Sequence, residues 1–117
     1  MPQGDLLYLG HMLDVSAQAI EKIRDKSRED FDADENLRLA LAHLVQMIGE
    51  AARRVSSESR QKYPQIPWSD VIGMRHKIVH DYLDVDFDVV WEVVTNDLPE
   101  LVLELRPIAP PLPDSQS

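Results

Sequence analysis

Residues 35–55 carry the pattern that most restricts the fold of this chain. Apolar side chains stand at Leu37, Ala40, Leu41, Leu44, Val45, Met47, Ile48, Ala51, Ala52 and Val55. Their recurrence at three and four residues predicts a helix. The stripe is too wide for a single neighbour, and a helix apolar over most of its girth is buried on more than one side. The segment therefore belongs inside a helical bundle, or partly in an oligomer interface.

The flanking segments fit around such a helix. Residues 5–26 place Leu6, Leu9, Leu13, Ala17, Ile20 and Ile23 at amphipathic spacing. The acidic stretch 29–35 interrupts that pattern, and its aspartates suit a turn followed by the N-cap of the central helix. Ser56 and Ser57 can cap a short helix that stops at Tyr63-Pro64, and Pro67 can open a third main helix running to about Tyr82. Asp84, Asp86 and Asp88 favour the start of a fourth helix, which runs to Leu105 with Pro99 as an internal kink. No internal repeat and no convincing strand is present. The expected class is all-α, an antiparallel four-helix bundle over residues 1–106. Residues 107–117, with four prolines between 107 and 113, are expected to form a flexible, disordered tail.

A chain of 117 residues makes one domain. It has no apolar run of membrane-spanning length, no signal-peptide pattern and no cysteine. These features predict a cytoplasmic protein without membrane association. The net charge of −9 argues against nucleic-acid binding until its distribution is considered. Residues 51–80 carry six Lys/Arg against Glu58 and Asp70, a local charge of +4. That positive segment leads into the stretch Gly73-Met-Arg-His-Lys-Ile-Val-His-Asp-Tyr82.

Arg75, His80 and Tyr82 in this stretch supply a bidentate anion binder, a group that titrates near neutral pH, and a phenolic oxygen. Arg75 and Tyr82 fall near the centre of the apolar face of a regular helix, where an arginine marks either a structural salt bridge or an anion site. Glu50, on the central helix, is a candidate to pair with Arg75 and orient it. His80 projects about 140° away from Arg75 at 100° per residue. The groups converge only if the helix ends near His80 or if two subunits share the site. His76 and His80 stand at i and i+4, yet a third metal ligand and the glutamate of His-Glu-x-x-His are lacking. No metal site is therefore expected. His11 and His43 stand alone and read as core or surface residues; Trp68 and Trp91 read as packing anchors.

The order Gly49-Glu-Ala51, Ile66-Pro-Trp68, Gly73-Met-Arg75, His80-Asp-Tyr82, Val85-Asp86 and Leu98-Pro99 resembles the HEPN domain, and most closely the small HepT-like toxins. The residue after the motif arginine is usually Asn in that family, and here it is His76. The resemblance implies a homodimer with facing motifs and cofactor-free, metal-independent endoribonuclease activity on RNA. Arg75 and His80 would then be catalytic, with His76 and Lys77 as auxiliary phosphate contacts. It further implies a toxin of a type VII-like toxin–antitoxin pair. Its partner, a minimal nucleotidyltransferase antitoxin, would silence it by transferring AMP to Tyr82. The alternative is a non-catalytic helical subunit that binds and positions a nucleotidyltransferase.

Overall fold

The computed structural model describes residues 3–81 and 84–109. In chain order these form α1 (Gln3–Lys22), α2 (Arg28–Ala33), α3 (Glu35–Arg54), α4 (Ser57–Lys62), α5 (Trp68–Ile72) and α6 (Met74–Ile78). Two short strands follow, β1 (Val79–Asp81) and β2 (Asp84–Val85), then α7 (Phe87–Glu92), a π-helical turn (Val93–Asp97) and α8 (Leu98–Leu105). The wide apolar stripe becomes α3, which packs against α1 on one side and against α5, α6 and α7 on others. Leu41, Val45, Ile48 and Ala52 on it are fully buried. Met47 of the stripe stays 41% exposed, so the neighbours within one chain do not cover all of it, and Leu39 outside the stripe is 52% exposed. Among the described residues no helix is long and apolar enough to cross a membrane.

The caps read from the sequence are present. Asp34 accepts from the Leu37 amide at 3.0 Å to start α3, Ser56 from Ser59 at 3.2 Å to start α4, and Asp86 from Val89 at 3.2 Å to start α7. Each satisfies an amide that the first helical turn leaves unpaired. Elsewhere the structure departs from expectation. The acidic stretch is not a turn but α2, because Ser27 and Asp30 form a reciprocal capping box and Phe31 anchors the segment in the core. The turn lies just before it, where Asp25 takes the left-handed conformation at φ 61°. The third main helix does not run unbroken to Tyr82. It is interrupted at Gly73 and ends at Ile78. The segment after it is a strand, contrary to the strand-free expectation: Val79 pairs antiparallel with Val85, and Asp81 with Asp84.

Pro99 acts through the ladder just before it. The Leu98 amide bonds the Val93 carbonyl, five residues back, so the helix slips into a π turn ahead of the residue that has no N–H to give. Past Leu105, Ile108 packs against the core and Ala109 is buried, beyond the boundary expected at residue 106. Residues 110–117 of the expected tail lie outside the described residues.

Candidate active site

The motif segment is seated on α3 by a close backbone approach. A Cβ added at Gly49 would stand 3.0 Å from the Val71 carbonyl oxygen, so α5 lies closer to α3 here than a larger residue would admit without the backbone giving way. Trp68 anchors the start of α5, with its indole N–H donating to the Tyr63 carbonyl at 3.0 Å. Met74 and Ile78 sink into the core and turn Arg75, His76 and Lys77 outward, all three exposed. His80 leaves the helix altogether. It sits on β1 with its side chain 53% exposed, Nδ1 3.7 Å from Asp84 Oδ2 and Nε2 3.9 Å from Asp86 Oδ2. His76 and His80 thus no longer share a helical face, which removes the i, i+4 geometry of a metal pair. Tyr82 lies outside the described residues.

Arg75 borders a groove of 640 Å³ between α1 and α3, shared with Tyr8, His11, His43, Glu50 and Arg54. His80 is not among the groove's lining residues. Glu50 does line it, but its ion pair is with Arg53 at 3.9 Å, one turn along its own helix; the expected Glu50–Arg75 pair is not formed. The Arg54 guanidinium lies 6.0 Å from the Tyr8 ring centre, and His11 meets the same ring edge-on at 6.2 Å. His11 and His43 are therefore groove residues on facing helices, not isolated histidines. The signal was the heptad-like spacing of 8, 11 and 15 on α1 and 43, 47, 50 and 54 on α3. Lys77 faces elsewhere. It lines a separate depression of 520 Å³ with Asp70, Asp97, Glu100 and Glu104, an acidic setting unfavourable to the phosphate contact expected of it.

The start of α7, which carries Asp86, is held firmly. Phe31 meets Trp91 at 5.1 Å and Phe87 at 6.4 Å, Arg28 pairs with Asp88, and Arg38 lies 5.4 Å from the Phe87 ring centre. Arg75 on α6 and His80 on β1 are thus both exposed on adjoining elements, and His80 does not enter the groove that Arg75 borders.

Residues 13–108 match the sequence profile of the family described as "Ribonuclease HepT-like". The chain belongs to the HepT-like ribonuclease family. That membership makes it an endoribonuclease of the HEPN type. Three relatives match over most of their own length. A "Putative RNase" of Caldanaerobacter subterraneus subsp. tengcongensis is 35% identical over 101 residues, covering 86% of this chain and 90% of its own. Another protein so named, from Methanocaldococcus jannaschii, is 32% identical over 109 residues, covering 92% and 94%. A "Probable ribonuclease HepT" of Thermococcus cleftensis is 36% identical over 93 residues, covering 76% and 84%. No solved structure matches this HepT-like ribonuclease significantly.

Proposed function

We propose that this HepT-like ribonuclease is the toxin of a toxin–antitoxin pair and cleaves RNA as a homodimer, without a metal. Arg75 holds the phosphoryl oxygens bidentately as charge grows on them. His80 transfers the proton as the 2′-hydroxyl attacks the adjacent phosphorus, leaving a cyclic phosphate and a 5′-hydroxyl. The reading is carried by one observation. The helix bearing Arg75 stops at Ile78, so His80 is released from the opposite helical face onto an exposed strand. Met47, exposed in the Arg75 groove, and the exposed Leu39 on the same helix supply an apolar face for a second copy, whose arrival would bring further groups to Arg75.

In this reading a minimal nucleotidyltransferase silences the toxin by placing AMP on Tyr82, two residues beyond His80, where the added phosphate competes for the anion site. His80→Ala should lower RNA cleavage by about 10²–10⁴ with unchanged helicity and melting temperature. A folded His80→Ala protein as active as the parent would reject the assignment. With the partner, ATP and Mg²⁺, intact-mass spectrometry should show whole AMP units on the Tyr82 peptide and loss of cleavage. An unmodified chain would favour the docking-subunit alternative.

A further inference from the structure

The two carboxylates around His80 are not equivalent. Asp86 is fixed by two hydrogen bonds. Its amide donates to the Ile78 carbonyl at 2.6 Å, closing the hairpin onto the end of α6. Its Oδ1 accepts from the Val89 amide at 3.2 Å as the cap of α7. Its Oδ2 is then left facing His80 Nε2 at 3.9 Å, with the side chain 29% exposed. Asp84, the first residue of β2, has a side chain 69% exposed, its Oδ2 3.7 Å from Nδ1. Neither distance is yet a hydrogen bond. Catalytic contacts are often long before substrate binds and tighten afterwards.

We infer that Asp86 is the positioning residue of His80. One carboxylate oxygen is committed to the helix cap and the other faces Nε2 and closes on it when substrate binds, so a single side chain ties imidazole orientation to the start of α7. Nε2 keeps its proton toward Asp86. Nδ1, beside the more exposed Asp84, is left as the nitrogen that exchanges a proton with substrate, and Asp84 is the neighbour that yields to the incoming RNA. A carboxylate behind the imidazole selects the tautomer and steadies the imidazolium as it forms. This inference rests on the reading of His80 as the proton-transfer group.

The capping role and the positioning role can be separated, because Asn and Ser cap helices about as well as Asp but carry no charge. The full-length chain is labelled with ¹⁵N-histidine, and the His80 ring signals are identified by their loss in His80→Ala. In Asp86→Asn and Asp86→Ser the His80 ring nitrogen shifts should change, while those of His11, His43 and His76 stay put and the melting temperature holds. Cleavage of total cellular RNA should fall about 10- to 100-fold in both variants, less than for a buried triad aspartate because this site is open to water. Asp84→Asn should stay within about threefold of the parent, a smaller change than any lost catalytic contact. Unchanged His80 ring signals in both Asp86 variants would overturn the inference. So would shifted signals with full cleavage, provided His80→Ala is inactive. If His80→Ala itself cleaves RNA, the functional reading fails first and the inference goes with it.

Discussion

At the scale of single residues, Asp5 was invisible to a pattern-based reading and the capping residues were not. Asp34, Ser56 and Asp86 announce themselves by local spacing, whereas Asp5 acts across 51 and 54 residues. It is 3% exposed and accepts from the Ser56 amide at 2.9 Å and from the hydroxyls of Ser56 and Ser59. Burial alone would raise its pKa, but the hydrogen bonds from Ser56 and Ser59 outweigh burial and hold it below the usual carboxylate range. A depressed folded pKa contributes stability that is present above the unfolded value, about 3.9, and lost as pH falls through the folded value. Asp5→Asn should therefore cost about 1–3 kcal/mol at pH 7, the range for a buried group that loses its hydrogen-bond partner. Thermal unfolding of both proteins between pH 7 and pH 3 should show the gap narrowing below about pH 4, where the parent loses this contribution. A gap independent of pH would place the effect in packing. Arg75 and His80 were equally legible as chemical types, yet their surroundings were not. Neither the Asp84–His80–Asp86 arrangement nor the failed Glu50–Arg75 pair follows from residue spacing.

Among elements, the long helices were readable because their apolar period is strong and local. The departures occur where one residue type serves two structures. Aspartates suit both turns and first helical turns, and here a capping box with Phe31 in the core decides for helix α2. The motif helix reads as continuous to about Tyr82, but Val79 and Asp81 find strand partners in Val85 and Asp84, contacts that helical periodicity cannot register. Gly49 is the element-level counterpart, a glycine in mid-helix that helix propensity alone marks as a defect. Its replacement by alanine gains about 1 kcal/mol of propensity. The new methyl at 3.0 Å from the Val71 carbonyl, a backbone atom unable to rotate away, costs about 1–3 kcal/mol of overpacking. Gly49→Ala should be net destabilising in denaturant titrations and should lower RNA cleavage, because the displaced α5 carries α6 and Arg75 with it. A variant more stable than its parent would show that α5 moves freely on α3.

For the whole molecule, the exposed apolar residues of α3 are the surface on which the proposed homodimer can be tested. Leu39, His43 and Met47 follow one another at four-residue steps on α3, and His43 and Met47 line the groove that Arg75 borders together with Tyr8 and His11 of α1. The groove also carries Arg54 and Arg75 together with Asp14 and Glu50, and opposite charges on one patch can complement themselves across a two-fold axis. Sedimentation of the parent should give about twice the 13.4 kDa chain mass. Met47→Glu combined with Leu39→Glu should yield a folded monomer, since two buried charges without partners are costly in an apolar interface. Mixing two inactive proteins, Arg75→Ala and His80→Ala, then asks where each site is assembled. If Arg75 of one protomer works with His80 of the other, half of the randomly exchanged dimers are mixed, and each mixed dimer has one intact site of two. The mixture should regain about a quarter of parental cleavage. If each site lies within one chain, every site in the mixture lacks one residue and no activity returns.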